Sequence, residues 1–102
     1  MRTENNSTVT LVAAQSNLIA EQRTAVKRLV FEMSNNEPVG GNDVFVSVTA
    51  EAAANKGRRC QPGQTITWSS DKGYEVPQTR INAYSAAGTP ILSIYEELEQ
   101  RD

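Results

Sequence analysis

The chain has 102 residues, with ten Lys and Arg against twelve Asp and Glu, one cysteine and no histidine. That length fits one domain, and a net charge of −2 gives no electrostatic footprint for nucleic acid or an anionic membrane. The missing histidine removes the commonest neutral-pH base and metal ligand, and the lone Cys60 excludes an internal disulfide and a cysteine-based zinc site.

The segment Met1 to Ser7 is polar and carries no signal-peptide pattern, so it reads as an N-terminal arm. Thr8 to Ala14, TVTLVAA, opens β-branched and reads as a strand. Gln15 to Gln22 is open between a loop, a short helical turn and an edge strand. Arg23 to Met33 predicts a half-buried strand, with Ala25, Leu29, Phe31 and Met33 on one face, interrupted by Lys27, and Arg28 and Glu32 on the other; Val26, Leu29, Val30 and Met33 are also spaced for a helix face, but the β-branched and aromatic content favours the strand. Ser34 to Asn42 is a loop punctuated by Asn, Pro and Gly-Gly. Asp43 to Ala50, DVFVSVTA, is the best strand pattern in the chain, and EAAANK after it is too short to hold a helix.

Arg58 to Gln61 reads as a short extended piece. Gln61-Pro62-Gly63-Gln64 carries the type II turn signature, proline setting the first central angle and glycine taking the positive one. Strands are predicted at Thr65 to Ser69, with Ile66 and Trp68 on the core face, at Gln78 to Ala86, and at Pro90 to Glu96. A turn is expected at Ser70 to Gly73 and a brief extended segment at Tyr74 to Pro77. Tyr84 and Tyr95 read as an exposed cross-strand pair. The charged residues 97–102 read as a solvated tail. Short strands at roughly ten-residue spacing predict an all-β fold, a small antiparallel β-sandwich or jelly-roll-like barrel of about seven strands, with its domain at residues 8–96. No apolar run is long enough to span a bilayer, so no membrane partner is expected.

Candidates for chemistry are few. Cys60 stands beside Arg58 and Arg59, which would lower a thiol pKa, but a small semi-buried residue before a turn is the stronger reading. Glu96, Glu97 and Glu99 cluster where a tail is expected, and Glu32, Glu37 and Asp43 lack calcium-loop spacing. No catalytic residue, cofactor or metal ligand is assigned. The basic cluster Lys56 to Arg59 has no aromatic platform for nucleic acid and suits a loop or an ion pair to another subunit.

The order of motifs carries a resemblance. QRTAVKRLVFEMSNN is followed by DVFVSVTAEAA, PGQTITW, a Val76-Pro77 step, INAYSAAGT and PILSIYEE. Over about three-quarters of the chain this resembles the small β-sandwich structural proteins of tailed-bacteriophage particles. The loop NNEPVGGND and Cys60, where the family pattern has an apolar residue, depart from it. The resemblance implies a non-enzymatic virion protein, made in the host cytoplasm and placed on the capsid exterior. It implies a decoration or cement protein that binds the major capsid protein and self-associates as a trimer; a tail, connector or fibre-base module, of a kind that binds a carbohydrate or receptor, is the alternative. An apolar fraction of 38% also suits a thin core completed by partner subunits. Candidate partner-binding residues are Arg58 and Arg59, with Asn36, Glu37, Asn42 and Asp43 in the preceding loop.

Overall fold

The computed structural model describes residues 2–70 and 76–100. Among the described residues eight strands form: β1 (Arg2–Thr10), β2 (Asn17–Ala20), β3 (Val26–Asn35), β4 (Val44–Val48), β5 (Arg58–Cys60), β6 (Thr65–Ser69), β7 (Ile81–Tyr84) and β8 (Ile91–Gln100). They make two four-stranded antiparallel sheets, ordered β1-β8-β3-β6 and β2-β7-β4-β5. The expected all-β sandwich is the fold observed.

The apolar alternation explains the packing. Phe31 and Met33 of β3, Ile66 of β6, and Leu92 and Ile94 of β8 face Val44 and Val46 of β4, Ile81 and Ala83 of β7, and Ile19 of β2. Trp68 closes one margin of this core, its ring 5.7 Å from that of Phe31 and inclined by 49°. Cys60, the last residue of β5, lies fully buried.

The structure corrects several boundaries. The expected arm is not an arm: from Arg2 onward it is β1, paired residue by residue with β8 from Arg2↔Glu99 to Thr10↔Ile91. The strand expected to reach Ala14 stops at Thr10, because Ala14 adopts a left-handed φ of 62° and donates its N–H to Ser85 O at 2.8 Å. The expected tail continues β8 to Gln100, and Glu97 is tied to Arg2 at 3.1 Å. The strand expected at Gln78 to Ala86 shrinks to Ile81–Tyr84. Tyr84 and Tyr95 lie in different sheets and do not pair. Most of the expected turn at Ser70 to Gly73, and Tyr74 and Glu75 of the segment after it, fall outside the described residues.

Arg28 is the largest departure. The register of β3 against β8 shifts between Arg28 and Val30, so Leu29 is an extra residue and the side-to-side alternation inverts. Arg28 therefore joins Phe31 on the inner face, its guanidinium 5.5 Å from the ring centroid, with no exposed surface. The side chain is fully engaged. Nε donates to Glu96 Oε2 at 2.7 Å, Nη1 to the carbonyls of Pro77 and Thr79, and Nη2 to Glu21 O at 2.8 Å. Arg23 closes on the same carboxylate at 2.8 Å. Gln78 hydrogen-bonds the Arg28 backbone twice at 2.7 Å, as a neighbouring strand would. One buried ionic cluster thus fixes the segment before β7 against β3.

Candidate partner-binding surface

Asn35 organises the end of the sandwich where the candidate residues lie. It is the last residue of β3 and is buried. Its side-chain amide donates to the carbonyls of Asn42 and Cys60, each at 3.0 Å, and its Oδ1 accepts the Glu37 N–H at 3.1 Å. Its backbone N–H donates to Gln64 O and its carbonyl accepts from Gly63 N. One side chain therefore joins the β3–β4 loop to the β5–β6 turn. Sequence reasoning missed it, since an Asn at a strand end signals only a turn; the polar residue sitting at the boundary of an apolar alternation was the available hint.

The loop itself is preorganised. Glu37 Oε1 accepts from the backbone and the side chain of Asn42, at 3.3 and 3.0 Å. Gly41 N donates to Pro38 O at 2.8 Å, with Gly40 at φ 85°, so residues 38–41 form a type II turn. Val39 stands at its tip, fully exposed. Below it Arg59 and Asp43 pair at 2.8 Å, and these residues with Gln61 and Pro62 frame a shallow depression of about 410 Å³. The second turn behaves as its sequence predicts, with Gly63 at φ 79° and Gln64 N bonded to Gln61 O at 2.9 Å.

Of the six candidates, the structure brings Glu37, Asn42, Asp43 and Arg59 together. It separates the other two. Asn36 turns to the outer face of the β1-containing sheet and donates to Ser93 Oγ at 2.8 Å. Arg58 projects from the opposite side of β5 and lies 5.0 Å from the Trp68 ring centroid, capping the open margin between the sheets.

Cys60 is not an activated thiol. Burial pushes its pKa up, which outweighs the opposing hydrogen bond with Asn35 and the nearby Arg58 charge, and Sγ donates to Gln64 O at 3.3 Å. We predict that the native protein resists a neutral-pH thiol-alkylating reagent and labels fully once unfolded in urea; rapid native labelling would contradict this burial.

A second surface lies on the outer face of the β1-containing sheet. Asn6, Thr8, Glu32, Ser34, Ser93 and Tyr95 line a shallow groove of about 570 Å³. Tyr95 OH donates to Glu97 at 2.9 Å. Loss of solvent, this bond and the nearby Glu4 push its pKa up to about 12, so the ring stays a neutral platform. The chain matches no known protein-family model, and no curated protein matches it.

Proposed function

We propose that this protein is a structural module of a tailed-phage particle, a decoration protein that docks on the major capsid protein through its loop end. The observation that carries the reading is the rigid type II turn presenting Val39 to solvent above the Arg59–Asp43 pair. An exposed apolar residue on a preordered loop loses little conformational entropy on docking and gains burial. A paired charge at its rim gives orientation more than affinity. The motif order shared with phage β-sandwich proteins points the same way. Many weak contacts repeated over a lattice stabilise it by mass action, about 2.7 kcal/mol per site when the free protein is at a hundredfold its dissociation constant.

The test is co-sedimentation with expanded, empty capsids, followed by heat or EDTA challenge of particles with and without the protein. Val39→Asp is expected to leave the urea midpoint of the free protein unchanged and to weaken capsid binding at least about tenfold. Equal survival of both particle types would remove the cement reading.

The outer groove favours a second reading, a tail or fibre-base module that binds a glycan. Tyr95 offers a ring for stacking, and Asn6 and Glu32 offer polar partners beside it. A glycan array probed with the wild type and with Tyr95→Ala separates this reading from the first.

A further inference from the structure

The four sheet edges are not equivalent. β2 has four residues and a register irregularity, β5 has three residues and β6 has five. Short, irregular edges resist further pairing. β1 is different: nine residues, regular throughout, without proline, and uncharged from Asn5 to Thr10. Residues 2–8 are exposed on both faces, so β8 is its main support. Isolated strand additions of this kind are marginal unless something else covers them.

The free side of β1 can be read from its register. Leu11 N donates to Pro90 O at 2.8 Å, and Thr10 opposes Ile91. Antiparallel alternation then directs the odd-numbered residues of β1 toward β8 and the even-numbered ones away. Glu4, Asn6, Thr8 and Thr10 therefore hold N–H and C=O groups outward, in the plane of the sheet. Neighbouring outward pairs are spaced as an antiparallel partner requires.

We infer that β1 pairs antiparallel with β1 of a second copy, about a two-fold axis at Asn6. In that register Asn6 opposes its own copy and Glu4 opposes Thr8 of the other chain, so the pairs centred on these residues exchange about six backbone hydrogen bonds. The strand is self-complementary in charge. Arg2 falls opposite Thr10, and no like charges oppose each other. Slipping the strands so that the axis passes through Glu4 would set two carboxylates face to face. The pairing joins the two β1-containing sheets into one of eight strands, with both outer grooves on the same side. A two-fold contact of this type closes on itself. It yields a dimer in place of the trimer that the family resemblance implies, and it does not depend on where the protein acts.

The test is sedimentation velocity of the full chain from micromolar to submillimolar concentration. A dimer is expected for the wild type. Asn6→Pro removes an outward N–H while sparing the β8 ladder, so it should give a folded monomer whose urea midpoint matches that of the wild type at concentrations where the wild type is itself dissociated. Thr8→Glu places a carboxylate against Glu4 of the other chain twice per dimer and should weaken association about tenfold. Adding Glu4→Lys to Thr8→Glu should restore it. A wild-type monomer at every concentration, a trimer, or a dimer indifferent to both the proline and the charge exchange would each overturn the inference. Capsid co-sedimentation of the Asn6→Pro monomer reads the docking proposal separately.

Discussion

Glu96→Ala is expected to destabilise the fold by about 3–5 kcal/mol, because it leaves the guanidinium of Arg28 buried without its countercharge. Arg28 has no exposed surface and Glu96 almost none, and their bond is 2.7 Å long. Arg23, a quarter exposed, can relax toward water; Arg28 cannot. Urea unfolding of wild type and variant measures the difference. Arg59→Ala is the contrasting control, since its pair with Asp43 is mostly exposed and should be worth less than about 1 kcal/mol. Equal losses for the two variants would mean that the inner cluster is solvated.

The same cluster sets an acid limit. Burial alone would raise the Glu96 carboxyl, but the hydrogen bonds from Arg23 and Arg28 and their positive charge more than offset it, and its pKa falls below the ordinary 4.5. A carboxyl with a lower pKa when folded stabilises the protein above its unfolded pKa. That contribution is lost as pH falls through the folded value. The stability of the wild type should therefore decline below about pH 4.5, and the decline should be shallower in Glu96→Ala.

Gly57→Ala is the second large effect, expected at about 3 kcal/mol from strain and overlap together. Gly57 has φ 77°, and a Cβ there would stand 2.0 Å from Val46 O. The chain enters β5 at this residue, directly alongside β4, and only a hydrogen fits in the gap. Gly63 separates strain from collision. It has nearly the same backbone angle, 79°, with nothing near its missing side chain. Gly63→Ala should therefore lose only about 1 kcal/mol. Thermal melts of both variants check the ratio.

How much of this was legible depended on how local each cause was. The β4 alternation, the TITWS strand and the Gln61–Gln64 turn are written in adjacent residues, and they fold as read. Arg28 was placed outside because strict alternation puts charges toward water; one extra residue at Leu29 reverses that, and its countercharge lies 68 positions away. Glu96 reads as the last residue of its strand, in a carboxylate cluster running into a solvated tail, and nothing local shows that it turns inward to two arginines. β1 has the composition of a coil, RTENNSTVT, and is extended because β8 supplies its partner. At the loop end, turn residues announced a loop, but nothing local tells that Asn35 would tie it to Cys60, or that Arg58 and Arg59 would face opposite ways.

β8 lies between β1 and β3, pairing Arg2 with Glu99 on one side and Val26 with Gln100 on the other. During synthesis β1 and β3 therefore leave the ribosome long before the strand that joins them exists. Until residues 91–100 are made, the first sheet has a gap at its middle, and Arg28 waits without its carboxylate. Closing so long a stretch of chain makes for slow, late folding. The nascent chain spends that interval with open strand edges of its own, and a stalled or shortened product would be exposed to aggregation and proteolysis more than one lacking a peripheral strand.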